Sequence, residues 1–148
     1  MGHPVSTVYL DVQEARAFSI LPAVGAWDAN PTEMACPSFD FVLFYLNYIE
    51  GAVVGGAVDI RIDISTDSTG TAWHQGTAYS TGAVAGGGDT SSLFQRENIT
   101  YEPTTTDREY FIFGPVALNG TVERIRVVAR ESGQVGTPGW CQIEARFQ

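Results

Sequence analysis

Residues 57–65 constrain the fold more than any other stretch of the chain. Val58, Ile60, Ile62 and Ile64 alternate with Asp59, Arg61, Asp63 and Ser65. A period of two places the first set on one face of an extended strand and the second set on the other. The run ends in Thr66-Asp67-Ser68-Thr69-Gly70, a cluster of turn formers. A partner strand is expected over residues 71–80, with Trp73 and Tyr79 as its large side chains, making a hairpin.

The same alternation recurs twice near the C-terminus. In residues 121–130, Ile125, Val127 and Ala129 alternate with Arg124, Arg126, Val128 and Arg130. Asn119-Gly120 before it suits a type I′ turn, since both residues tolerate positive φ. Cys141, Ile143, Ala145 and Phe147 alternate with Gln142, Glu144 and Arg146. Residues 133–139 between these runs have the Gly and Pro of a loop, so the last two strands are expected to pair as an antiparallel hairpin.

Residues 39–49 read differently. Phe41, Leu43 and Tyr45 fall on one parity, and Val42, Phe44 and Leu46 on the other. A strand covered on both faces has this pattern, and the aromatic and branched content favours a strand over a buried helix. In an antiparallel fold the second apolar face calls for a loop or another subunit to cover it. Residues 5–12, 14–21 and 110–113 are weaker strand candidates. Residues 81–92, with Gly86-Gly87-Gly88, are expected to form a mobile surface loop. Strands at this spacing with glycine-rich turns predict one all-β domain, an antiparallel β-sandwich or jelly-roll-like barrel. At 148 residues it has enough chain to bury a core without a disulfide or metal.

Charge narrows the partners. The net charge is −9, and all eight cations are arginine. A phosphate backbone is repelled by such a field, so neither nucleic acid nor an anionic membrane is an expected partner. No apolar run is long enough for a membrane-spanning helix. The first residues lack the basic start and apolar stretch of a signal peptide, which points to use inside a cell or in a particle assembled there. Cys36 and Cys141 form no zinc or redox pattern and are read as small buried hydrophobes, with one long-range disulfide as the alternative.

No catalytic set is legible, and the chain is expected not to be an enzyme and to need no cofactor. The two histidines are His3, near the terminus, and His74, which parity directs to the face opposite Trp73. No Gly-x-Ser-x-Gly elbow is present, and the glycine run lacks the Lys of a phosphate loop. Asp59 and Asp63 share a strand face and are the carboxylate pair to weigh for a hydrolase. They read more simply, with Glu123, Glu131 and Glu144, as solvated residues. Asp63, Ser65 and Asp67 offer oxygen ligands at alternate positions, a weak calcium candidate without the downstream bidentate Glu. Trp27, Trp73, Trp140, Tyr79 and Tyr101 are candidates for a sugar platform, against the simpler reading as core. Trp27, in loop-like residues 25–31, is the ring most suited to meet a partner.

Three segments together resemble the small β-sandwich virion proteins of tailed bacteriophages. They are the aromatic strand Phe41 to Tyr48, the alternating strand Val58 to Ser65 running through Asp67-Ser68-Thr69-Gly70-Thr71-Ala72 to Trp73, and Glu123-Arg124-Ile125-Arg126-Val127-Val128-Ala129. The resemblance is one of strand style from Phe39 to Phe147. Within that group, acidic chains of this size look like capsid decoration, or head auxiliary, proteins. The resemblance implies a homotrimer on the outer capsid surface, assembled in the host cytoplasm, stabilising the shell through contact with the major capsid protein. It implies an N-terminal arm over residues 1–12, Met1 to Leu10 above all, preceding a sandwich domain over 13–148. His3, Val5, Tyr9, Trp27, Phe44 and Leu46 are then the expected capsid or subunit contacts. Two other readings stand beside it: a carbohydrate- or receptor-binding β-sandwich module of a virion tail or fibre, and a small hydrolase.

Overall fold

The computed structural model of the protein describes residues 11–23, 25–49, 57–80, 99–101, 108–132 and 137–148. These contain nine strands and no helix: β1 (Asp11–Ile20), β2 (Glu33–Ala35), β3 (Phe41–Ile49), β4 (Val58–Ser65), β5 (His74–Ser80), β6 (Ile99–Tyr101), β7 (Arg108–Ala117), β8 (Arg124–Glu131) and β9 (Trp140–Phe147). They form two antiparallel sheets. Sheet A has the order β1-β9-β3-β7-β6, and sheet B the order β2-β8-β4-β5.

The pairs β1·β9, β2·β8, β3·β7 and β4·β5 are nested one inside the next, like a long hairpin rolled up on itself. That is the connectivity of a jelly roll, with β6 added at one edge. The alternation at 57–65 is thus borne out as β4, and the hairpin partner as β5, which begins at His74 rather than at residue 71. Asn119 and Gly120 have φ of 55° and 66°, as a type I′ turn requires, and the Thr121 N–H donates to the Leu118 carbonyl across it.

The expected β8·β9 hairpin is not formed. β8 pairs with β2 and β4 in sheet B, whereas β9 lies between β1 and β3 in sheet A. The connection crosses from one sheet to the other, so the two alternating runs face each other across the core instead of sharing a ladder. The candidate at 14–21 falls in β1, which begins at Asp11, and that at 5–12 lies outside the described residues but for Asp11 and Val12. β1 carries register shifts between Glu14 and Arg16 and between Arg16 and Ser19. Asp11 and Val12 already pair with Phe147 and Arg146, so the sandwich includes two residues assigned to the arm. Residues 1–10 and 81–92 lie outside the described residues.

The core is what parity dictates. Val42, Phe44, Leu46 and Tyr48 of β3 and Cys141, Ile143, Ala145 and Phe147 of β9 meet Val58, Ile60 and Ile62 of β4 and Ile125, Val127 and Ala129 of β8. Each large aliphatic or aromatic side chain buried here contributes about 1.5–3 kcal/mol. Both cysteines are buried and free. Burial pushes the Cys36 thiol up to about 11 and the Cys141 thiol up to about 12.

The topology sorts the connections by end. Ile20 and Ile49 both stand opposite Trp140, Val58 opposite Glu131, and Asp59 opposite Ser80. The connections that follow β1, β3, β5, β6 and β8 therefore all start from one end of the sandwich. Those after β2, β4 and β7 turn at the other. Loops held at one end of a rigid scaffold are a common place for recognition.

Candidate functional site

The two outer faces of the sandwich are chemically unlike. On sheet B, β4 presents Asp59, Arg61, Asp63 and Ser65, and β8 presents Arg124, Arg126, Val128 and Arg130. Asp63 stands directly opposite Arg126, and Asp59 opposite Arg130. Both pairs bond at 3.1 Å, and Arg61 also reaches Asp63 at 2.8 Å. Two tryptophans from loops then roof these arginines. The Trp27 ring lies 4.2 Å from the Arg130 guanidinium and 5.1 Å from that of Arg61, and Trp73 lies 4.2 Å from Arg126.

This arrangement corrects one expectation. Asp63 is not on a solvated face: it is fully buried beneath its arginines, although its parity points outward. Asp59 is engaged by Arg130, and Asp63 by both Arg61 and Arg126. Trp27, expected as a contact residue, is half-buried, with its ring over Arg130 of the same sheet.

The calcium candidate does not converge. Asp63 is engaged with Arg61 and Arg126, while the Ser65 hydroxyl accepts from the Asp67 N–H at 3.1 Å. Asp67 accepts from the Thr69 amide at 2.9 Å and from the hydroxyls of Thr69 and Thr71 at 2.6 Å. Those hydroxyl bonds hold its carboxyl well below the usual carboxylate range. Among the described residues no group of three or more His, Cys, Asp or Glu side chains is placed to hold a metal ion. His74 is exposed on β5, and His3, Val5 and Tyr9 lie outside the described residues.

Sheet A is the apolar face. Val12, Phe18, Ile20, Phe41 and Trp140 are the large apolar side chains that stand 40% or more exposed among the described residues, and all five belong to it. Half-buried Leu43, Tyr45 and Ile49 lie on the outward parity of β3. Phe44 and Leu46, expected as contacts, are instead in the core with 0% and 1% exposure. The apolar second face predicted for β3 exists, but its members are Phe41, Leu43, Tyr45 and Ile49. Phe18 and Trp140 stack with ring centroids 5.7 Å apart. They sit beside Ile20 and Ile49, the residues paired with Trp140, at the end from which the connections after β1, β3, β5, β6 and β8 start. A polar belt separates this cluster from Val12 and Phe41. In it Gln142 donates to Glu14 at 2.9 Å, and Arg146 bonds Glu144 at 2.6 Å while stacking on Tyr45.

A buried carboxylate underlies the same end. Glu131 continues the inward series Ile125, Val127 and Ala129, and is fully buried. Among the described residues it accepts bonds at 2.8 Å from the Tyr48 hydroxyl, the Ala57 amide and the Gly139 amide. The expectation of a solvated Glu131 is therefore corrected. A buried carboxylate persists where donors replace its lost water, as these do.

Compared with protein-family models, with curated proteins and with solved structures, the chain has no match.

Proposed function

We propose that this chain is an assembly protein, a virion structural protein of the capsid-decoration kind. It self-associates, as a homotrimer, and coats the outer surface of a phage capsid through contact with the major capsid protein. The observation that carries the reading is the one-sided distribution of exposed apolar surface: Val12, Phe18, Ile20, Phe41 and Trp140 all lie on sheet A. Sheet B provides its own roof of tryptophan and arginine. An unroofed apolar sheet face is what a protein–protein contact covers. The jelly-roll connectivity is compatible with this, since the scaffold recurs in capsid proteins and equally in lectins. The acidic charge keeps the unassembled chain soluble. The experiment is sedimentation of the protein with expanded and with immature phage capsids. Saturable binding to expanded capsids, lost on Trp140→Ser, is expected; no binding to either, with a monomeric free chain, would overturn the reading.

One observation favours a second reading, a carbohydrate-binding module. The half-exposed Trp140 ring shares its strand face with Gln142 and lies near Asn47, the residue paired with Gln142. The Asn47 side-chain oxygen is buried without a hydrogen-bond partner. An aromatic plane beside amides suits a sugar ring. Retention of a monomeric protein on a glycan column, abolished by Trp140→Ala, would favour this reading over assembly.

A further inference from the structure

We infer that Glu131 is a positioning residue for the exposed Phe18–Ile20–Ile49–Trp140 patch, setting from inside the sandwich the surface that the proposed assembly uses. The inference rests on the reading of that patch as a contact surface.

The chain of contacts is short. The Glu131 carboxylate accepts a hydrogen bond from the Gly139 amide, and the next residue is Trp140. On its other side the Gly139 carbonyl accepts the Leu21 amide at 2.8 Å, which ties it to the residue after Ile20. A side chain at Gly139 would run into the Tyr48 ring and the Ile49 carbonyl, so this backbone is pressed against β3 just where Ile49 leaves it. Tyr48 in turn donates to Glu131. Gly139 is thus held by the carboxylate, by β1 and by β3 at once. Those contacts fix the start of β9, and so where Trp140 stands between Ile20 and Ile49.

The chemistry requires a carboxylate. Both Glu131 oxygens accept, and among the described residues their donors belong to separate segments, β3, the residue before β4 and the residue before β9. A glutamine offers one oxygen and turns an N–H₂ group toward a backbone N–H, leaving at least one donor facing another donor. The expected consequence is local: the start of β9 loosens and the aromatic patch loses its fixed geometry, while the core between β3, β4, β8 and β9 keeps its apolar contacts.

The test compares wild type, Glu131→Gln, Tyr48→Phe and Trp140→Ser by light scattering, thermal melting and amide hydrogen exchange. Glu131→Gln is expected to melt cooperatively, to exchange the Gly139 and Trp140 amides at least tenfold faster, and to self-associate at least tenfold more weakly. Tyr48→Phe, which keeps the ring and the carboxylate, is expected to shift both readouts in the same direction by about threefold. If Glu131→Gln does not fold, Tyr48→Phe decides alone. Unchanged exchange at Gly139 and Trp140 in a folded variant would overturn the positioning role, whatever the association does. A wild-type monomer, or Trp140→Ser associating as wild type does, would instead overturn the contact reading while faster exchange in Glu131→Gln still supported the positioning.

Discussion

Arg16 reaches from the edge strand of sheet A to Asp28, and the two meet as a forked ion pair with nitrogen–oxygen distances of 2.8 and 3.0 Å. The rest of the guanidinium is spent on backbone. It donates to the carbonyls of Ser19, Ile20 and Cys141 at 2.6–3.1 Å, which is why β1 bulges around it. Asp28 for its part also accepts the Ala129 amide of β8. The pair therefore ties the two sheets together and anchors the segment that carries Trp27.

Asp28→Ala is expected to destabilise the fold by about 3–5 kcal/mol, because it leaves a buried guanidinium without its counter-charge. Urea denaturation measures this as a lower midpoint with an unchanged slope. A loss below about 1 kcal/mol would mean that the pair behaves as a solvent-exposed one.

Asp63→Ala is expected to cost a similar amount, about 3–5 kcal/mol, since it strips the shared carboxylate from Arg61 and Arg126. The same geometry predicts that millimolar calcium leaves the wild-type melting temperature unchanged. A calcium-dependent rise that disappears in Asp63→Ala would contradict the assignment of this side chain to the arginines.

These two residues also show what the sequence conveys and what it withholds. Alternation located β4, β8 and β9 and assigned their inner faces correctly, because burial on one side of a strand leaves a period-two trace. It could not tell what covers an outer face. Asp63 is roofed through Arg126 by Trp73, which comes from a turn, and the neighbouring arginines by Trp27, which lies far away in the chain. Nor does alternation reveal strand partners, so β8 and β9 looked like a hairpin when they belong to opposite sheets. For Glu131 the signal was present, since it keeps the inward parity of Ile125, Val127 and Ala129. Its charge argues the other way, and only donors from β3 and from the residues before β4 and β9 make its burial possible. Arg16 left no such trace, because the bulges of β1 break the alternation around it.

The buried thiols give a chemical check on the core. With the Cys36 thiol at about 11 and that of Cys141 at about 12, neither supplies much thiolate at neutral pH, and both are shielded. A disulfide-exchange reagent at pH 8 is expected to leave both unreacted in the folded protein and to titrate two thiols per chain in denaturant. Rapid reaction of either in the native protein would contradict its burial.

Asp67 sets a pH dependence of defined sign. Its folded carboxyl titrates below its unfolded value, so its turn is stabilised above about pH 4, the unfolded value, and that contribution is lost as pH falls below it. The stability difference between wild type and Asp67→Asn is therefore expected to be constant from neutral pH to about pH 5 and to shrink toward pH 3. A difference that grew on acidification would reverse the sign and reject the hydroxyl-bonded carboxylate as its cause.

On the proposed function, sheet A's outer face is covered by protein in the assembled state. Light scattering of the free chain across the micromolar range, beside Trp140→Ser and Phe18→Ser, tests it most directly. A wild-type mass that is a multiple of the chain mass, three-fold at saturation, is expected, with folded monomers for both variants. A wild-type monomer throughout that range, or variants that associate unchanged, would contradict it.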